Sequence, residues 1–378
     1  MSAYLESKLS FATEVTEEDR KQLMDLYREV WDEKTSAAME KIFSWKFESS
    51  PFMPEDRLPL LFYRAEGRIV AFLGGVPYLV KHGNQYQHMV WIHDGFSHPS
   101  YRSKNLWLSF KMALDNPVVV GVAGDESRKE MWRAMARRQA KKSVGSGQTD
   151  IGTYRHLVRM LDLRSSPRVK RLLRVRPLIS LANLLWRGYC RMFRSWQVRL
   201  SEEGLQIREV DEFGEEINRL WEEVKDDYQI IPKRTDAYLN WRFVAHPTNR
   251  YPRFLLECEG EVKGYLVLRV LNREGERIGR IVDLLASRRE ERFYRALISF
   301  AVEYFRERQA DSIQILETTC PELKKALRKN GFGSRLSKQR PMILQGWQRE
   351  ECIPPELLFN QDSWYFTYAD SDGEMLPE

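Results

Sequence analysis

Asp94 is a carboxylate able to move a proton. It stands just ahead of a run rich in cationic and hydrogen-bonding side chains, Phe96-Ser97-His98-Pro99-Ser100-Tyr101-Arg102-Ser103-Lys104-Asn105-Leu106-Trp107. The plainer role for such a carboxylate is to cap or hydrogen-bond a loop. His88, His93 and His98 recur every five residues. In a strand, odd spacing sends neighbours to opposite faces, so these three should not converge on a metal ion. The four cysteines, Cys190, Cys258, Cys320 and Cys352, are scattered without a Cys-x-x-Cys. Neither a thiolate zinc site nor a disulfide framework is expected, and the thiols read as reduced in a cytoplasmic chain. Lys141-Lys142-Ser143-Val144-Gly145-Ser146-Gly147-Gln148 lacks the strand and helix context of a phosphate loop.

The chain has 378 residues, 43% of them hydrophobic and 30% charged, an ordinary globular composition long enough for two or three cores. No stretch approaches the apolar length of a membrane span, and the N-terminus does not read as a signal peptide. Net charge is +6, yet residues 163–201 hold ten Lys or Arg and no Asp or Glu, leaving −4 on the remainder. A basic charge confined to one segment is not the footprint of a nucleic-acid-binding face, and no nucleic-acid partner is expected. After Pro177, Leu178, Leu181, Leu185, Tyr189, Met192, Phe193 and Trp196 form a helical stripe, with Arg187, Arg191 and Arg194 opposite. Two readings stay open for residues 165–200. One is a helix lying on an anionic membrane. The other is an interdomain helix that buries its stripe while its arginines pair with acidic surfaces.

The elements that must position these groups occur twice. Trp45-Lys46-Phe47 before Pro51 matches Trp241-Arg242-Phe243 before Pro247. Glu66-Gly67 through Leu73 matches Glu259-Gly260 through Leu266, and His93-Asp94 matches Val282-Asp283. Three matches in the same order indicate an internal duplication. Each copy reads as strand, two helices, three strands, helix, strand, helix. Phe11–Val15 and Leu205–Val210 are the opening strands, and Glu17–Trp31 and Glu215–Val224 the first amphipathic helices. Glu66-Gly67 and Glu259-Gly260 are tight hairpin turns. Hairpins imply antiparallel pairs and late strand–helix–strand units imply parallel ones, so the sheets are mixed.

That order, with the Phe96–Trp107 run and the segments Ala310–Leu316 and Leu327–Phe332, resembles the GNAT N-acyltransferase superfamily. There a proline and an aromatic precede an Arg/Gln-x-x-Gly-x-Gly loop. The whole chain is similar to bacterial tandem-GNAT proteins associated with polysaccharide or cell-envelope functions, whose last strand ends in Trp before an Asp-Ser-Asp-like turn, here Trp364 and Asp370-Ser371-Asp372. The resemblance implies an α/β (α+β) fold of two tandem domains, with acetyl-CoA or a longer acyl-CoA as co-substrate and no metal. It places Phe96, Ser97, Arg102, Ser103, Lys104, Asn105, Leu106 and Trp107 against the cofactor, whose pyrophosphate would meet backbone N–H groups at a helix start. It makes Asp94 the general base. The family's tyrosine is missing, its positions falling near Trp132 and Leu327, and Tyr154 stands as a substitute. Asn105 and Trp107 replace glycine or a small residue, and Trp107 is expected to crowd the phosphate path. The second loop, Arg288-Arg289-Glu290-Glu291-Arg292-Phe293, has no glycine, and its two carboxylates would repel a pyrophosphate.

The expected organisation is a first GNAT-like domain at 1–160 with the better acyl-CoA site, a connecting segment at 161–203 and a second domain at 204–378. The function expected from the resemblance is N-acylation of an amine on a sugar, lipid or small metabolite. A non-catalytic binding or scaffold protein of degenerate domains is the alternative. Location is expected to be cytoplasmic, or peripheral at the membrane's inner face, while the oligomeric state stays open.

Overall fold

The computed structural model describes residues 11–123, 130, 132–134, 136–137, 148–163, 176–192, 204–273, 275–334, 341–349 and 352–375. The first copy opens with α1 (Glu17–Val30) and α2 (Glu33–Glu48). Thr16 starts α1 with reciprocal bonds to Asp19, satisfying two helix-terminal N–H groups, and the helix buries Leu23, Met24, Leu26 and Tyr27. Then follow β1 (Leu60–Ala65), β2 (Arg68–His82), β3 (Gln85–Ser97), α3 (Arg102–Asp115) and β4 (Val118–Ala123). After these come β5 (Asp150–Tyr154), β6 (His156–Met160) and the central helix α4 (Arg176–Met192). The second copy comprises β7 (Leu205–Glu209), α5 (Glu215–Val224), β8 (Ile230–Pro232), α6 (Asp236–Leu239), β9 (Arg253–Cys258), β10 (Glu261–Arg273), β11 (Glu276–Ala286), α7 (Glu291–Glu307), β12 (Ser312–Leu316) and α8 (Pro321–Lys329). The chain finishes with β13 (Met342–Gln348) and the short α9 (Pro355–Leu358).

The duplication is visible in backbone detail. Both hairpin turns have positive φ at two successive residues, 52° and 79° at Glu66-Gly67 and 53° and 80° at Glu259-Gly260. Such a pair suits the twist of the flanking strands. The elements also depart from expectation. Phe11 makes a single bridge to Leu61 where an opening strand was expected, and Trp364 makes a single parallel bridge to Ile230 where a last strand was expected. Trp241 lies in a π-helical turn, Asn240–Val244, which continues α6 and closes through the Ala245 N–H to the Asn240 carbonyl at 2.9 Å. The last helix of the first copy, which the sequence places over Glu126–Ala140, is described only at residues 130, 132–134, 136 and 137, all helical. The basic residues Arg164 through Arg174, with Phe193, Arg194 and Trp196, lie outside the described residues.

The two sheets trade strands. The first runs β1-β2-β3-β4-β13-β5, with β8 also pairing to β2, and the second runs β6-β12-β11-β10-β9-β7. Thus β13, from the end of the chain, sits between β4 and β5, while β6 pairs antiparallel with β12. One apolar cluster continues through both copies, from Leu23 and Phe72 to Tyr265 and Phe305. A second, smaller cluster lies under α3 and includes Leu61, Leu73, Leu108, Met112 and Trp347.

The copies meet at their matching tryptophans. Trp45 Nε1 donates to the Trp241 carbonyl at 2.7 Å, and Trp241 Nε1 donates to the Trp45 carbonyl at 3.0 Å. The rings stack at 5.4 Å with 21° between planes. Each indole therefore buries its apolar body and satisfies its single donor on its counterpart. Trp45→Phe, which orphans the Trp241 carbonyl, should cost about 1–3 kcal/mol. Trp45→Ala should cost about 3–5 kcal/mol in urea unfolding. Trp31→Ala, at a position 59% exposed, is the control and should stay within about 0.5 kcal/mol of wild type.

Candidate functional site

The site begins with an irregularity in β3. Gly74 of β2 pairs with Asp94 and Gly75 with Ile92, so His93 is the extra residue of a β-bulge. A bulge bends its strand and re-aims the adjacent side chains. Asp94 accepts from Lys46 Nζ at 2.6 Å; the lysine side chain is 0% exposed and that of Asp94 19%. A Cβ on Gly74 would lie 2.7 Å from the Phe47 and Phe72 rings, so glycine here lets α2 sit directly on the strand. The Tyr27 hydroxyl is buried nearby, and burial together with the Asp94 carboxylate pushes it well above the usual phenol range. His93 is also buried, with no hydrogen bond to either ring nitrogen. Burial, then the charges of Lys46 and Arg242, hold it well below the usual imidazole range, so it is neutral.

The second copy repeats the bulge, with Val267 opposite Asp283, Leu268 opposite Ile281 and Val282 extra. Its carboxylate is occupied differently. Asp283 accepts from Arg234 Nε at 3.1 Å, the Tyr265 hydroxyl at 2.9 Å and the Thr367 hydroxyl at 2.9 Å. Arg234 also donates through Nη2 to both Asp370 oxygens, each at 2.7 Å. Arg234, Asp283 and Asp370 are all fully buried. Burial, the largest influence, raises the Asp283 carboxyl above its usual range.

Beside each bulge two parallel strands part. β3 and β4 pair only at Val90–Val119, Trp91–Val120 and Ile92–Gly121, although β3 runs on to Ser97 and β4 to Ala123. β11 and β12 pair only at Ile278–Ser312, Gly279–Ile313 and Arg280–Gln314. A gap between the carboxyl ends of parallel strands is the usual ligand position in such sheets. The second gap is filled by the chain itself. Tyr365 donates its hydroxyl to the Leu284 carbonyl, and Thr319 donates its own to the Trp364 carbonyl at 2.7 Å. Phe366 and Tyr368 pack there against Ile281, Leu284, Ile315 and Leu316, leaving a void of about 10 Å³, no larger than one water.

The helix starts differ as well. α3 begins at Arg102 with no acidic residue in its first turn and no side-chain cap on its N–H groups. Positive partial charge at such a terminus is available to an anion. α7 begins behind Glu290 with Glu291 in its first turn. Glu290 pairs with Arg292 at 2.6 Å, Glu291 with Lys325 and Lys329, and Arg288 with Glu322 at 2.9 Å. The second terminus is neutralised by its own side chains.

No family model matches the sequence, and no curated protein matches it. Solved structures do match in shape. Saccharomyces cerevisiae N-myristoyltransferase with bound myristoyl-CoA superposes with a TM-score of 0.55 at 14% identity, covering 97% of this chain and 84% of that one. A conserved protein of unknown function from Enterococcus faecalis V583, described as a probable N-acyltransferase, gives a TM-score of 0.57 at 11% identity, covering 90% and 72%. A GCN5-related N-acetyltransferase from Anabaena variabilis gives 0.50 at 12% identity, covering 90% and 71%. This chain has the tandem GNAT-like N-acyltransferase fold.

On that fold the expected site residues fall into two groups. Phe96 and Ser97 end β3, and Arg102 through Asn105 form the first turn of α3. Asn105 lies 3.6 Å from where a Cβ on Gly95 would be, so this turn faces the strand next to Asp94. Lys104 Nζ sits over the Tyr63 ring at 4.7 Å. Leu106 and Trp107 lie in the second turn, and Trp107 packs on the cluster of Leu61, Leu108 and Met112. That position corrects the expectation of crowding, because the Trp107 ring is engaged with the core. Tyr154 is not brought to Asp94. It lies on β5, three strands from β3, or about 14 Å at ordinary strand spacing. It is fully buried against Phe366, and burial raises its phenol far above the usual range.

Sequence reasoning missed the residues of the seam. Arg234 and Glu374 carry no local motif, Asp370 was marked only as part of a turn, and their pairing needs the fold. Glu374 is fully buried between Arg269, at 3.2 Å, and Arg280; those arginines hold its carboxyl below the usual range despite its burial. His246 packs on Trp45 at 4.2 Å, accepts the N–H groups of Thr248 and Asn249 at Nδ1 and donates from Nε2 to the Met375 carbonyl at 3.0 Å. A groove of about 550 Å³ opens at this seam, lined by Lys34, Ala38, Lys41, Arg250 and Arg269 without a carboxylate. Burial, then Arg242, push His246 down from 6.5 to about 3. A depressed histidine contributes stability that is present above pH 6.5 and lost as pH falls toward 3, because the unfolded chain takes up the proton first. His246→Gln should therefore narrow the gap in urea-unfolding free energy between about pH 7 and about pH 4.5.

Proposed function

We propose that this protein is an acyl-CoA-dependent N-acyltransferase with one acyl-CoA site, in the first copy. The observation that carries the reading is the asymmetry between two otherwise matching sites. The first copy has parted strands, an uncapped helix start with Arg102 and Lys104, and a partly exposed carboxylate. In the second, the gap, the helix start and the carboxylate are each taken by the protein's own side chains. The bound thioester would lie along β3, with the pyrophosphate at Arg102–Asn105. Asp94, held in place by Lys46, would accept a proton from the acceptor ammonium. The free amine would attack the thioester carbonyl, forming the C–N bond and breaking the C–S bond, and the proton then lost from the nitrogen would end on the departing thiolate. A thiolate with an ordinary pKa of about 8.5 leaves without a strong acid beside it, and the reading leaves Tyr154 to packing. The acceptor is an amine on a sugar, lipid or small metabolite, in keeping with cell-envelope or polysaccharide biosynthesis. The second copy then serves to shape the acceptor side, and the protein works in the cytoplasm, peripheral to the membrane's inner face.

Calorimetric titration with acetyl-CoA and with palmitoyl-CoA should give one site per chain for at least one of them. Arg102→Ala should weaken it about fivefold to tenfold, the loss of one charge-assisted contact. Arg288→Ala, in the second loop, should leave it unchanged. No binding by either thioester at millimolar concentration would favour the second reading, a non-catalytic binding or scaffold protein, which draws on the closed state of the second copy. Lys46→Met should destabilise the fold less than Asp94→Leu, because only the latter leaves a buried charge unpaired, at about 3–5 kcal/mol in thermal unfolding.

A further inference from the structure

Among the described side chains of the central helix α4, the hydrogen-bonded ones lie along one side. Asn183 is 4% exposed and accepts the Leu163 N–H through Oδ1 at 2.8 Å, while Trp186 Nε1 donates to the Met160 carbonyl at 3.1 Å. Residues 183 and 186 are three apart, so they share a face. The other face carries Leu178, Leu181, Leu184 and Leu185, which are 49%, 54%, 67% and 67% exposed. Four large aliphatic side chains at i, i+3, i+6 and i+7 form a continuous apolar strip turned to solvent, the reverse of the arrangement expected of a surface helix. The alternative raised from the sequence, that the stripe is buried between the two copies, does not hold for its three leucines, Leu178, Leu181 and Leu185.

Charge identifies what covers the strip. The segment 163–201 has ten cations and no anion, while the remainder of the chain is net −4. Arg187 and Arg191 stand one turn apart within α4 itself. A second copy would set this cation-only segment against another of the same charge, with no anion in its sequence to offset it. A surface that is apolar inside and negative outside satisfies both halves of the pattern, and anionic lipid headgroups over acyl chains have that order. No helix among the described residues is long and apolar enough to cross a membrane, so the geometry is that of a helix lying in the interface.

We propose that the exposed leucine face of α4 docks the protein on an anionic lipid bilayer. The proposal deepens the peripheral-membrane part of the function read above, and its test does not involve acyl-CoA, so the two fail separately. The full chain is floated with phosphatidylcholine vesicles, with or without phosphatidylserine. Binding to the phosphatidylserine vesicles should be about tenfold or more stronger and should weaken in high salt. The double variant Leu181→Ser/Leu185→Ser, altered only at exposed positions, should keep the wild-type unfolding temperature and lose about tenfold or more in vesicle binding. Absence of wild-type flotation, equal flotation with both vesicle types, or undiminished flotation of the double variant would each overturn the proposal. So would a wild-type dimer, seen by sedimentation without lipid, that the double variant abolishes, since the strip would then be an interface between copies.

Discussion

Trp45 and Trp241 each complete the other. An indole has one N–H and no acceptor, and in a dry interior that N–H must find a carbonyl; here each finds the backbone of its counterpart. The exchange fixes two helix ends against each other and brings the residues that follow, Lys46 and Arg242, into the same buried seam. Two desolvated cations then require electron-rich partners. Lys46 takes Asp94 from its own copy. Arg242 lies over Trp45 and Phe243 and donates from Nε to the Ala369 carbonyl. The seam thus binds the C-terminal segment as well as the two copies, and Arg234–Asp370 and Arg280–Glu374 secure that segment further along.

From matching parts the two copies reach different electrostatic states. Both have a bulge and an aspartate at its end. Asp283 is closed in by an arginine, a tyrosine and a threonine, with Asp370 as a second anion on the same arginine. Such a network is costly to leave partly satisfied, and Asp283 at its centre is fully buried, out of reach of a substrate. Asp94 keeps a single cation and some solvent. An equal backbone with unequal side-chain occupancy closes one half on itself and leaves the carboxylate of the other partly open.

The sequence made the duplication readable because turns, helix faces and tryptophans are local signals. Ile217, Leu220, Trp221 and Val224 fall on one face by period alone, and all four are buried. The pairing partners of β6 and β13 had no such signal, since an apolar strand of five to seven residues is equally at home in either sheet. Trp107 was misjudged for a related reason. Counting from Arg102 placed it in a loop, whereas the helix had already begun and turned its ring toward the core. The closure of the second copy was hidden because its plug lies some eighty residues beyond Asp283 in the chain.

The traded strands also set an order of events during synthesis. β5 is attached to the first sheet through β13, and β13 is translated only after the whole of the second copy. Until it emerges from the ribosome, the amino-terminal half has an unfilled slot between β4 and β5, with exposed backbone on both sides. That half must wait through the making of the entire second copy, a long-range closure of the kind that slows folding and invites chaperones. Nor can the halves be separated and each be whole, because the boundary between them in sequence is not a boundary in space. The ancestral duplication has in this sense become irreversible.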